Sequence, residues 1–303
     1  MPYIPVVTNL VGIGNLSVDI FFFLSGLCLS LAAERHHYIE NHWKGYYRRR
    51  LERVLIPYLI VGVPYYLWNC LCEASGSPVK RGVLFLANLS SASFWLRGTQ
   101  TTWYVYAIIL FYFLFPLLLS FIKKRSRTEQ LALLAGLACF SFLSAYTPIL
   151  KNSVIVWARL PIFAAGIMAG EAGGQTGRSS LTKLQTVAAL AFAFLLGAIA
   201  SFSELSETFT IPTVFRFLLY FPLTLLVMTL LSANPPRTRA RALEWLGGLS
   251  LELYLVHITL LHPLKYYGIM DAVGYWLYLL LPAVSAAAAW LVKKIEEMIL
   301  KRA

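Results

Sequence analysis

Long apolar runs, broken by short charged segments, set the pattern of this chain. The runs lie near 12–33, 54–72, 102–121, 130–146, 154–170, 184–202, 210–231, 243–264 and 272–292. At 1.5 Å of rise per residue, each is long enough to cross roughly 30 Å of hydrocarbon, with leeway for tilt. None shows the alternation of a strand, and no internal repeat or low-complexity tract interrupts them. The pattern predicts an all-α fold: a polytopic integral membrane helix bundle with nine transmembrane helices, built as a single domain over residues 1–303.

Composition supports that pattern. Hydrophobic residues make up 58% and charged residues 13%, and mean hydropathy is +0.66. A charged share about half that of an ordinary soluble domain excludes a soluble fold of this length. The formal net charge of +12 raises the question of nucleic acid. Placement answers it. Of the 26 lysines and arginines, 19 fall in segments 34–53, 122–129, 171–183, 233–242 and 293–303. Only five fall in the alternate segments 73–100, 147–153, 203–209 and 265–270, and Arg159 and Arg216 lie inside spans. The positive-inside rule then puts the N-terminus outside and the C-terminus in the cytoplasm. The basic residues have membrane lipid head groups as partners, and no nucleic acid is expected. The first residues, MPYIPVVTNLVGIGNL, lack the charged n-region of a signal peptide. Cys28, Cys70, Cys72 and Cys139 lie in or beside apolar runs and read as small apolar residues.

Ionisable groups inside spans are costly and tend to mark sites. Here they are Asp19, Arg159, Arg216, Glu252 and His257. By the topology above, Asp19, Arg159, Arg216 and His257 fall in the outer half of the membrane, where they are expected to face one cavity, with Glu252 nearer the middle. For Arg159 the alternative is snorkelling to the surface; for Glu252 and His257 it is a plain helix–helix hydrogen bond. Ser250, Tyr254 and His257 follow i, i+4, i+7 spacing, so a hydroxyl, a phenol and an imidazole share one helix face.

At the opposite surface, Arg48, Arg49, Arg50 and Arg53 crowd the entry to the second span. Arg50 and Arg53 stand three apart on one helical face, and guanidinium forks suit phosphate oxygens. His36, His37 and His42 sit in a charged loop without a fixed scaffold, so no metal site is expected there.

These residues carry a resemblance to the bacterial acyltransferase family 3 membrane proteins. The aromatic lead into Ser-Gly appears as Phe21-Phe22-Phe23-Leu24-Ser25-Gly26, and the basic pair before a Pro-Tyr span as Arg50-x-x-Arg53 with Pro57-Tyr58. The Trp-led span opens Trp103-Tyr104-Val105 and reaches Pro116. Arg159-Leu160-Pro161-Ile162-Phe163 with Gly166, and Leu246-Gly247 leading through Ser250 and Tyr254 to His257, resemble two later segments.

The resemblance implies an inner-membrane O-acyltransferase that moves an acyl group, often acetyl, from cytoplasmic acyl-CoA to a hydroxyl of a surface or exported glycan, or of a small molecule. It carries no bound cofactor; acyl-CoA is the donor substrate. Carried onto this chain, Arg50 and Arg53 meet the donor. Ser25, Trp103, Arg159, Arg216 and Tyr254 belong to the acceptor cavity. The family pattern also has an opening helix with a basic residue and, some eleven positions on, a histidine. Only about a dozen residues precede the Ser-Gly span here. The chain is therefore expected to be N-terminally truncated relative to the family and inactive by itself, with His257 and Asp19 as the remaining candidates for the base. A transporter or polymerase for lipid-linked glycans is the reading from another class, using the same cationic surface to hold a diphosphate.

Overall fold

In a computed structural model, the structure describes residues 14–35, 43–98, 101–173, 224, 226, 241–273 and 275–302. The described residues are helical throughout, without strands. In chain order the helices are α1 (Gly14–Arg35), α2 (Lys44–Trp68), α3 (Pro78–Leu89), α4 (Ala92–Arg97), α5 (Trp103–Lys123), α6 (Arg127–Ser144), α7 (Val154–Trp157), α8 (Leu160–Gly173), α9 (Arg241–Gly248), α10 (Ser250–Tyr266), α11 (Ile269–Val273) and α12 (Tyr275–Arg302). Among them, Ser17–Arg35, Lys44–Glu73, Trp103–Lys123 and Lys151–Ala172 are long and apolar enough to cross a membrane. The spans expected at 184–202 and 210–231, with Arg216, lie outside the described residues, as do His36, His37 and His42.

Three expected boundaries shift. The second helix starts at Lys44, not near 54, so the arginine run lies on its first turns. Two tyrosines and a polar, arginine-rich stretch lower the hydropathy there without lowering helix propensity. Segment 73–100, expected as a loop, contains α3 and α4. The first is started by Ser77, whose Oγ accepts from Lys80 N at 3.4 Å with Pro78 behind it. The run at 154–170 breaks at Ala158–Arg159 into α7 and α8.

The chain divides into two compact units. In the first, comprising residues 1–43 and 110–237, α1 lies along α8 in one constant register. Asp19 meets Arg159, Gly26 faces Phe163 and Gly166, and Ser30 meets Gly170 and Glu171. The two helices therefore run parallel. Their backbones touch because Gly26 and Gly166 have no Cβ: one at Gly166 would strike the Phe23 carbonyl, and one at Gly26 would lie on the Phe163 carbonyl. Phe111 stacks between Phe22 and Phe163, with both centroid distances 5.0 Å. Lys123 reaches Glu171 at 3.7 Å, so this end of α5 runs the same way. Helix α6 returns. It starts beside Ile122, through Gln130, and ends where Ser141 donates to the Trp157 carbonyl at 2.7 Å. Ser126 and Glu129 cap its start reciprocally. Hydrogen bonds from the Ser126 backbone and hydroxyl, with Arg125 beside them, hold the Glu129 carboxyl below its ordinary value.

In the second unit, residues 44–109 and 238–303, α2 and α10 also run parallel. Arg53 meets Glu252 at one end; Tyr65 meets His262 and Trp68 meets Tyr267 at the other. Helix α12 runs against them, packing Ala289 and Val292 on Val256 and bringing Glu296 to Arg53. These relative directions are the ones the lysine and arginine count demands of the matching spans. Pro57 and Pro64 lie inside α2, which ends in a π turn over Asn69–Glu73.

Candidate functional site

Asp19 is brought to Arg159 and to no other described charge. Arg159 Nε donates to Asp19 Oδ1 at 2.9 Å, with side-chain exposures of 1% and 0%. Arg159 also donates to the Ile155 carbonyl at 3.0 Å. That excludes snorkelling: the break between α7 and α8 turns Arg159 inward, onto α1. Ser25 sits half-buried on α1, one residue from the Gly26 crossing. Asp19, Ser25 and Arg159 belong to the first unit; Trp103, Tyr254 and His257 belong to the second.

At the arginine end of the second unit, both terminal nitrogens of Arg53 are engaged. Its Nη1 donates to Glu252 Oε1 at 2.6 Å and to Glu296 Oε2 at 2.8 Å, and Nη2 donates to the Gly248 carbonyl at 3.2 Å. Lys293 adds contacts to Glu296 at 2.9 Å and Glu252 at 3.5 Å. Two cations and two carboxylates cancel, so the cluster offers no excess charge to a phosphate. Glu252 was expected nearer the middle of its span. The helix restarts at Ser250, which puts Glu252 in the first turn of α10 beside Arg53. Arg48 pairs with Glu52 at 2.7 Å on the surface. Arg50, half-buried, makes no hydrogen bond or ion pair among the described residues.

Further along α10, His257 Nδ1 lies 2.9 Å from the Leu253 carbonyl. A carbonyl only accepts, so Nδ1 carries the proton and Nε2 keeps its lone pair. The Tyr254 ring stands edge-on at 5.9 Å. The Tyr254 hydroxyl accepts from Tyr104 N at 3.4 Å and donates to the Thr101 carbonyl at 3.5 Å. Trp103 is buried against Tyr104. Next to them Tyr58, Tyr66, Tyr106 and Thr102 join hydroxyls within 2.7–3.2 Å and end on the Asn88 and Leu89 carbonyls. Every hydroxyl proton there has an acceptor, so this network ties α3 to α2 and α5.

The far end of α2 and α10 holds a constellation absent from the expected set. Tyr65 Oη lies 2.6 Å from His262 Nδ1, and His262 Nε2 lies 3.2 Å from Glu73 Oε1. Asn69 donates to the other Glu73 oxygen. The π turn aims Glu73 back at α10. Sequence reasoning passed over Tyr65 and His262 because aromatic and polar residues at span ends are ordinary interface anchors. Glu296 had a readable signal: it shares the Ala289 and Val292 face, so a carboxylate interrupts a buried stripe.

No group of side chains among the described residues has metal-ligating geometry. No curated protein and no solved structure matches the chain. A family model described as an acyltransferase domain matches residues 2–293. A helical chain with membrane-crossing helices, matched over nearly its whole length by that model, belongs to the acyltransferase 3 family of membrane acyltransferases.

Proposed function

We propose that the chain is an O-acyltransferase of the bacterial inner membrane, moving an acyl group, most simply acetyl, from cytoplasmic acyl-CoA to a hydroxyl of a surface or exported glycan. In this reading nine helices cross the membrane, with the N-terminus outside and the C-terminus in the cytoplasm. The observation that carries it is the state of the arginines at the start of α2 in a chain of this family. Arg53 is committed to Glu252 and Glu296, while Arg50, one turn before it, keeps its fork for an anion. Arg50 therefore takes the donor phosphates, and Arg53 positions the helix that presents it. His257 serves as the general base for the attacking alcohol, because Nε2 is its unprotonated nitrogen. Asp19 and Arg159 hold α1 on α8 beside Ser25, on the acceptor side.

The test is acetyl transfer by membranes containing the 303-residue chain, with acetyl-CoA as donor; transfer by it overturns the expectation that the chain is inactive by itself. Arg50→Ala is expected to raise KM for acetyl-CoA roughly tenfold or more, from the loss of a charge-assisted hydrogen bond of about 1.5–3 kcal/mol. Arg127→Ala, on another basic segment, is expected to change it little. Equal losses at both positions would mean bulk surface charge and no donor site. A chain that binds a polyprenyl diphosphate and never uses acetyl-CoA would instead be the transport or polymerisation protein.

Sidedness has its own check. In a cysteine-free background, single cysteines at Ser75 and Lys265 are expected to react with an impermeant maleimide in intact cells. Cysteines at Lys124 and Arg127 are expected to react only after lysis. The reverse pattern would place the arginines outside and remove the acyl-CoA argument.

A further inference from the structure

Segment 73–100 keeps its charges toward its ends. Arg81 and Arg97 bracket fifteen uncharged residues, Gly82 to Leu96, and the turn between α3 and α4 falls inside that run. Such a run is too short to cross the hydrocarbon but long enough to enter it and come back. The contacts turn it back along α2. Cys70 Sγ donates to the Arg81 carbonyl at 3.0 Å, near the start of α3, and Tyr58 Oη donates to the Leu89 carbonyl at 2.9 Å, at its end. Cys70 and Tyr58 are twelve residues apart, about 18 Å of helical rise. Helix α3 therefore runs antiparallel to α2, and α2 with its π turn is a segment long and apolar enough to cross a membrane. The chain returns through α4, whose buried Phe94 packs on Tyr106 at 5.6 Å.

Hydrocarbon offers backbone groups no water, so each needs a partner within the protein. The tip of this hairpin meets that demand. The Leu86 carbonyl takes the Ser90 amide, the Asn88 carbonyl takes the Ser91 amide, and the Ser91 carbonyl takes those of Phe94 and Trp95. The Asn88 and Leu89 carbonyls also take the Tyr106 and Tyr58 hydroxyls. A hairpin tip in water would need no buried phenols for that purpose.

The two sides of α3 differ. Arg81, Leu84, Phe85 and Asn88, at i, i+3, i+4 and i+7, form its half-buried side. The other side presents Val79, Val83 and Leu86, which are 77%, 61% and 63% exposed. An apolar row of this kind marks an interaction surface. It continues the exposed row Leu59, Val63 and Leu67 of α2, one row over from the Tyr58 that holds α3. The row on α2 meets acyl chains because α2 crosses the membrane, and α3 lies beside it.

We propose that residues 78–97 form a re-entrant hairpin, entering the membrane from the side opposite the arginine run, with lipid acyl chains as the partner of Val79, Val83 and Leu86. The hairpin rests on α2 as a membrane-crossing helix and goes beyond the acyltransferase reading. It leads into Thr101 and Thr102, whose oxygens hold the Tyr254 and Tyr66 hydroxyls. Lipid packing on α3 thus backs the wall on which Tyr254 stands.

The experiment uses the 303-residue chain with its four cysteines replaced by serine, which keeps a donor at position 70. Val79→Cys, Val83→Cys, Leu86→Cys and, as an aqueous reference, Ser75→Cys are each labelled with bimane and reconstituted in phosphatidylcholine vesicles. Lipids brominated along the acyl chain are expected to quench Val83→Cys and Leu86→Cys several-fold more than Ser75→Cys. Leu86→Cys should respond to bromines nearer the bilayer centre than Val79→Cys does. Aqueous iodide is expected to quench in the reverse order. Iodide quenching at positions 83 and 86 equal to that at 75 would put α3 in water and overturn the proposal. Protection from both quenchers would mean that a second copy of the chain covers the row, and would overturn lipid as the partner. One shallow depth at all three positions would make α3 a helix lying flat on the interface and overturn the re-entrant path. Acetyl-CoA enters none of these measurements, so the acyltransferase reading stands or falls separately.

Discussion

Replacing His257 by glutamine is expected to lower the steady-state rate of acyl transfer by about 10²- to 10⁴-fold, the usual contribution of a positioned general base. KM for acetyl-CoA should stay nearly constant, because the arginine end of α2 is untouched. The argument rests on the proton at Nδ1. The Leu253 carbonyl takes it at 2.9 Å, so Nε2 is the nitrogen that receives a proton from an alcohol. Glutamine keeps a donor and an acceptor but no basic nitrogen at neutral pH. A variant with full activity would remove His257 from the chemistry. One that fails to fold would show the imidazole to be structural.

Arg53→Ala is expected to cost about 3–5 kcal/mol of stability, the penalty for leaving buried carboxylates without their partner. Glu252 and Glu296 are 0% and 1% exposed in their side chains, and they come from α10 and α12, distant in sequence from α2. Removing the guanidinium leaves two buried negative charges facing Lys293 alone, and takes away the donor to the Gly248 carbonyl. The measurement is the denaturation midpoint of the purified protein in detergent, read without substrate. Lys293→Ala should lower it far less, since Arg53 still holds both carboxylates. If Arg53→Ala keeps its midpoint and only raises KM for acetyl-CoA, Arg53 is a donor contact in its own right and the separation from Arg50 fails.

Arg50 and Arg53 look equivalent on paper, three residues apart on one helical face. Their environments differ because α10 and α12 bring carboxylates to one of them only. The same holds for Arg159. Its place near a span end allowed both a functional and a snorkelling reading, and the choice came from the helix break at Ala158–Arg159 together with Asp19 on α1.

The sequence by itself determined the all-helical membrane class, the family and, within each unit, the relative direction of the long helices that match expected spans. It could do so because each is written locally: apolar run length against the bilayer, charge at the run ends, and short motifs in order. The glycines of the α1–α8 crossing were legible as motif members, Gly26 after Ser25 and Gly166 after Phe163. Only the tertiary structure decided which polar groups pair, that the second helix begins a few turns early, and that segment 73–100 is helical. It alone joined Tyr65 to His262, His262 to Glu73, and Arg53 to Glu252 and Glu296. Those contacts link residues far apart in the chain, and a buried charge or a short hydrogen bond is defined by what faces it across the bundle, which no local pattern records.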